Sequence, residues 1–144
     1  MTFFAFVYCN GFALAETNKK TYHCWFNGYV SIYGGRDINK AEDGGVQVWS
    51  RAGKVFGLHK TKGQAYLEND FFKQTLMPME AIYLQVIDKE NSPGDFVSYL
   101  SNPQLILRNV NARLNELTFV YTNDEKGSPF IGETHVAKAS CLSP

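Results

Sequence analysis

The sequence lacks charge where it begins. All 14 basic and all 14 acidic residues lie beyond Ala15, so the first turns of chain read as a separate apolar segment. Other absences narrow the field further. No apolar run reaches the ~20 residues that a spanning helix needs. The formal net charge is zero, so the charge balance does not suggest a polyanion partner. There are 3 histidines, His23, His59 and His135, too scattered for an HxH or HExxH pair to hold a metal, and they are read as surface residues of strands or loops. No G-x-S-x-G or comparable elbow presents a nucleophile. No catalytic motif, metal site or cofactor is implied. No repeat, low-complexity run or linker divides the chain, so residues 16–144 are expected to form one domain.

The charge-free segment supports two readings. Ala13-Leu14-Ala15 before Glu16 has the small-x-small form that a signal peptidase cuts, which makes residues 1–15 a candidate signal peptide and the protein an exported, periplasmic or secreted one. Against this, no Lys or Arg opens the segment, and Asn10-Gly11 interrupts it. The alternative is a buried first strand, FFAFVYC, turned by Asn10-Gly11.

Cysteine is scarce, with 3 in the chain. A cut after Ala15 removes Cys9 and leaves Cys24 and Cys141 near the two ends, an even pair suited to an oxidising compartment. A disulfide between them would close a long loop and stabilise the fold by about 4 to 5 kcal/mol in the chain-entropy account. The alternative is free core thiols in a cytosolic protein.

What is present is alternation. In TYHCWFNGYVSIY, Tyr22, Cys24, Phe26, Val30 and Ile32 share one side of a two-residue period, which points Cys24 into the core and Trp25 away from it. Further strands are expected at 45–50, 54–59, 64–67, 80–88, 104–109, 116–122 and 134–141, separated by Gly-, Asn-, Asp- and Pro-containing turns. The fold class is therefore mainly β, a single antiparallel barrel or sandwich of about seven to eight strands. Residues 80–88 are apolar on both faces and are expected to be covered on both sides. In SPGDFVSYLSNP, Ser92 as cap, Pro93 at the first helical position, Asp95 and the Phe96/Leu100 spacing predict one short helix near 93–101.

Candidate binding residues follow from loops and aromatics. The polar loop GGRDINKAEDGG, which holds Arg36 and Asp37, is either a recognition surface or a plain connection; its stretch from Asp37 to Gly44 resembles a calcium loop only loosely, because Lys40 and Ala41 break the ligand alternation. Trp25, Trp49 and Tyr66 would anchor an interface if exposed together, and would otherwise be core. Lys54, His59, Lys60 and Lys62 form a basic cluster answered by Glu68 and Asp70, and are read as a solvated loop rather than a nucleic-acid patch. The paired carboxylates Glu42-Asp43, Asp88/Glu90 and Asp124-Glu125 fall in turns, which select such residues for backbone hydrogen bonding.

The run VQVWSRAGKVFGLHKTKGQAYLEND, after an early Tyr22-His23-Cys24, resembles the small exported inhibitors of C-type lysozyme over roughly a third of the chain. The resemblance implies an eight-stranded barrel and makes Lys62, Gly63, Gln64 and Tyr66 an inhibitory loop. The chain departs from that family in having Lys62 where the loop usually has Ser, and in the long stretch between Asp70 and Cys141.

Together these features lead us to expect an exported module that binds another protein, of inhibitor, immunity or envelope accessory type, with no enzymatic activity. The alternatives are a carrier holding a small apolar ligand inside the barrel, and a carboxylate-dependent hydrolase.

Overall fold

Short runs of alternating apolar residues, each closed by a turn, give strands that can bury only one face. The computed structural model describes residues 19–33, 45–49, 53–74, 83–127 and 131–144. The elements are, in order, β1 (Lys20–Tyr33), β2 (Gly45–Trp49), β3 (Val55–Thr61), β4 (Gln64–Leu67), α1 (Asn69–Gln74), β5 (Tyr83–Asp88), β6 (Phe96–Ser98), β7 (Gln104–Asn109), β8 (Leu114–Thr122) and β9 (Thr134–Leu142). The charge-free residues 1–15 and most of the GGRDINKAEDGG loop lie outside the described residues.

From β3 to β9 every strand pairs antiparallel with its neighbour in sequence, while β1 pairs β3 along one edge and β9 along the other. This closes an eight-stranded antiparallel barrel. The remaining strand, β2, follows the distal half of β1 on the same edge as β3, from Tyr29↔Trp49 to Tyr33↔Gly45. Extending that register would set Trp25 opposite Gly53, whereas Trp25 faces Val55. The offset is absorbed around Gly53, whose φ of 82° suits glycine and whose N–H donates to the Phe26 carbonyl. Among the described residues no helix is long and apolar enough to cross a membrane.

Cys24 and Cys141 stand directly opposite each other on β1 and β9 and are joined as a disulfide. Both are buried, so the bridge pins the closing seam from inside. On its other edge β9 pairs small residues with large ones: Ala137 and Ala139 lie opposite Phe119 and Leu117 on β8. All four point inward, and this small-against-large pairing lets a narrow barrel fill without voids.

The rest of the interior is aromatic. Phe71 on α1 is wholly buried, with its ring centre 5.2 Å from Phe26, 4.9 Å from Phe56 and 4.9 Å from Phe119. The helix therefore acts as a plug, and the strands supply its socket. Near the other rim Lys60 turns inward, its Nζ 2.7 Å from the Asp88 carboxylate and 5.2 Å from the centre of the Phe96 ring. Burial, followed by the Asp88 charge, pushes the Tyr22 hydroxyl above its ordinary value.

The structure changes three sequence expectations about the fold. First, inward phase on β1 does not persist: the register with β9 shifts between Phe26 and Gly28, so Tyr29 and Ser31 turn inward while Ile32 is exposed. A bulge adds one residue and reverses the alternation. Second, residues 93–101 form a turn and a strand rather than a helix. Asp95 N–H donates to the Ser92 carbonyl, Gly94 takes φ 92°, and β6 follows with Phe96 buried. Pairing with both β5 and β7 satisfies backbone groups that a helix would leave open along the wall. Third, β5 is covered on one face only; Leu84 and Val86 are buried, while Tyr83 and Ile87 face solvent.

A polar cluster occupies the distal end, around His135, which is buried and not a surface residue. Its Nδ1 hydrogen-bonds the Tyr29 hydroxyl and lies 3.3 Å from Ser31 Oγ; its Nε2 faces Glu133 at 3.4 Å, and Tyr121 stacks beside it. Burial holds the imidazole below its ordinary value of 6.5. The unfolded chain then takes up a proton before the folded one does. His135 thus contributes stability that is complete above about pH 6.5 and is lost as pH falls below it. A His135→Gln variant is expected to lose thermal stability less steeply than wild type between pH 7 and pH 5; equal slopes would contradict this account.

Candidate functional site

The outer wall of β1, β3, β4 and β5 carries one continuous cross-strand row. Thr21 pairs with His59, His59 with Tyr66, and Tyr66 with Tyr83. Residues opposite one another on a sheet face lie close enough for their side chains to interact, and these do. His59 stacks on Tyr66 with ring centres 6.0 Å apart, and Tyr66 on Tyr83 at 4.6 Å. The row ends in Tyr83, which is 73% exposed.

Beside this row lies a hydrogen-bonded relay. Glu68 follows β4, and its backbone N–H donates to the Gly57 carbonyl at 3.0 Å. Its side chain then folds back flat across β3. Only glycine permits that approach, because a Cβ at position 57 would come within 2.4 Å of Glu68 Oε1. Placed there, Oε1 lies 2.6 Å from His59 Nε2, while His59 Nδ1 lies 2.9 Å from Thr21 Oγ1. The imidazole is thus held between the Thr21 hydroxyl and the Glu68 carboxylate, which fix its ring orientation from both sides.

The relay borders a cleft of about 580 Å³ on the outer wall. Thr21, His23 and Trp25 from β1, Val55 and Gly57 from β3, and Leu142 from β9 line it, together with the carboxylate-bearing Glu68 and Asp70 and, at its base, the buried Cys24 and Phe56. It combines an aromatic wall, aliphatic edges and acidic groups beside a fixed histidine. Such a surface can hold a side chain by stacking and by charge.

Of the residues singled out in the sequence, Trp25 enters this cleft and Tyr66 the adjoining row. Lys62 and Gly63 form the tip of the β3–β4 hairpin, where Gly63 has φ 78°, and Gln64 is exposed at the start of β4. These share a hairpin with Tyr66 but are not part of the cleft lining. Trp49 belongs to β2, its backbone opposite Tyr29. Arg36 and Asp37 lie outside the described residues. The basic cluster is not a loop: His59 faces out, Lys60 turns inward to Asp88, and Lys62 sits at the hairpin tip. Glu68 does answer it, through His59.

Sequence reading missed Thr21, His59, Glu68 and Tyr83 as a group. One signal was available: a Lys62-Gly63 turn sets Thr61 opposite Gln64 and hence His59 opposite Tyr66. The Glu68 approach over Gly57 depends on the chain leaving β4 into α1, which no local pattern announces.

Fold and site together define a closed antiparallel β-barrel, pinned by a disulfide, with a cleft on its outer wall. Comparison with protein-family models, with curated proteins and with solved structures finds no match for the chain.

Proposed function

We propose that this protein is an exported binding module that recognises another protein through the outer wall of β1, β3, β4 and β5. The observation carrying this reading is the exposed end of the stacked row. Tyr83 is 73% exposed yet braced by Tyr66 at 4.6 Å. A large side chain already held in place loses little entropy when a partner covers it, which is why tyrosine and tryptophan dominate binding energies at interfaces. The adjacent cleft gives that surface depth.

Export is supported by the buried disulfide, which suits an oxidising compartment, and by the charge-free start of the chain. Recognition at the surface is favoured over carriage of an apolar ligand because Phe26, Phe56, Phe71 and Phe119 occupy the barrel interior, while the cleft lies outside the wall. Inhibitor, immunity and envelope accessory proteins all fit this description.

The test is photo-crosslinking in the native cell, with a benzophenone amino acid at position 83 and, as control, at Val110, which is 56% exposed in the β7–β8 connection. A single discrete protein adduct from position 83 that is absent from position 110 is expected, and Tyr66→Ala should deplete it. Identical adducts from both positions, or none from position 83, would overturn the reading.

A further inference from the structure

We infer that Asn27 is a site of spontaneous chemical modification, at which the backbone nitrogen of Gly28 closes on the side-chain amide and converts the residue to aspartate and isoaspartate. The first support is the lack of restraint. On one edge of β1 the pairing with β3 ends at Trp25↔Val55 and the pairing with β2 begins at Tyr29↔Trp49; Phe26 makes the last bonds before that gap, with Lys54 and Gly53. On the other edge the register with β9 passes from Phe26↔Ala139 to Gly28↔Lys138, which leaves Asn27 as the extra residue of the bulge. Asn27 therefore has no register partner on either edge. It is exposed, and its amide is held by a hydrogen bond from Nδ2 to Ser140 Oγ at 2.7 Å.

The second support is the residue that follows. A Cβ at position 28 would meet nothing within 4 Å, and Gly28 is not among the glycines with positive φ, so neither crowding nor backbone conformation accounts for glycine there. Its chemical effect is to leave the backbone nitrogen open to the preceding side chain, because a Cβ hinders that approach. Of the described asparagines only Asn27 is followed by glycine. The Gly28 nitrogen adds to Asn27 Cγ, the Cγ–Nδ2 bond breaks, and ammonia leaves with the Gly28 amide proton. Water then opens the cyclic imide at either carbonyl, giving aspartate, or isoaspartate with an extra carbon in the main chain. The bulge can take that atom, since pairing with β9 resumes on both sides of it. Either product adds a negative charge to a chain whose formal net charge is zero. The charge appears on β1 just beyond Trp25, which lines the outer cleft.

The experiment uses the oxidised protein, incubated in warm, mildly alkaline buffer and digested for peptide mass spectrometry, with isoaspartate confirmed by an isoaspartate methyltransferase. Asn91, exposed in the β5–β6 connection and followed by Ser92, is the internal comparison. The mass gain of an amide turned to an acid is expected at Asn27 about tenfold faster than at Asn91, a barrier difference of ~1.4 kcal/mol. Gly28→Ala, whose Cβ meets no neighbour, should slow the reaction by a similar factor. The reduced chain unfolded in urea supplies the rate of the unrestrained sequence. A folded protein that keeps Asn27 intact while the unfolded chain loses it would show that the strand locks the residue, and would overturn the inference. Equal rates at Asn27 and Asn91, or a Gly28→Ala protein modified as fast as wild type, would overturn it as well. None of these outcomes depends on the recognition reading, because the reaction needs no partner.

Discussion

Replacing Cys24 and Cys141 together by alanine is expected to lower the stability of the barrel by about 4 kcal/mol, and its melting midpoint by on the order of 15 °C. The cysteines are 117 residues apart in sequence, so the bridge removes a large share of the unfolded chain's freedom. It also lies on the seam where β1 meets β9, the pairing that turns a sheet into a barrel. Without the bridge, closure depends on backbone pairing and on Ala137 and Ala139 facing Tyr29 and Phe26 across the seam. Urea denaturation of the oxidised wild type beside the double variant measures the loss. A loss below about 1 kcal/mol would mean that strand pairing alone closes the barrel and that the unfolded chain keeps its ends together.

Phe71→Ala is expected to cost about 3 to 5 kcal/mol. The ring is wholly buried and meets Phe26, Phe56, Phe72 and Phe119 at centroid distances from 4.9 to 5.2 Å. The helix that carries it spans only Asn69–Gln74, too short to hold itself together in water, so its position depends on this side chain. Collapse around the hole is restricted by strands that are themselves paired on both edges. Because Glu68 immediately precedes the helix, unplugging should also release its carboxylate from His59. Tyr83→Ala, at an exposed position, should by contrast change stability by no more than about 0.5 kcal/mol, which separates the proposed recognition surface from the core. A Phe71→Ala variant as stable as wild type would show that α1 is not the plug described. Combined with loss of the disulfide, the change approaches the whole stability of a typical domain, and that triple variant is expected not to fold.

Most of the wall was legible in the sequence because strands obey a short-range rule. The runs at 64–67 and 104–109 coincide with β4 and β7, and Cys24 turned inward as the alternation of Tyr22, Cys24 and Phe26 required. The misreadings share one cause, which is that tertiary closure outranked local pattern. Ser92, Pro93 and Asp95 carry real helix-start chemistry, but the gap between β5 and β7 needed a strand, and the same residues serve as its turn. The bulge after Phe26 reversed β1 at a point that no alternation could foretell. The helix Asn69–Gln74 was missed because six residues are too few to display a helical period.

The site was legible only in pieces. Trp25 could be chosen by its phase, opposite to Cys24 on the same strand, and Tyr66 as an aromatic near a turn. His59 looked isolated because its partners, Thr21 and Glu68, lie 38 and 9 residues away in sequence. Bringing them together takes the β1–β3 pairing and the turn out of β4, and Gly57 reads as an ordinary strand glycine until Glu68 is placed above it. A site assembled on the outside of a closed sheet draws residues from several strands, so it leaves no single linear motif.

The stability of the barrel and the proposal of export both rest on the Cys24–Cys141 bridge being present in the protein as its own cell makes it. The direct measurement is an intact mass of the protein recovered from its native compartment, alkylated before and after reduction. The account predicts a chain beginning at Glu16 that takes up alkyl groups at Cys24 and Cys141 only once reduced. A chain retaining residues 1–15, with all of its cysteines alkylated without reduction, would contradict export and the clamp together.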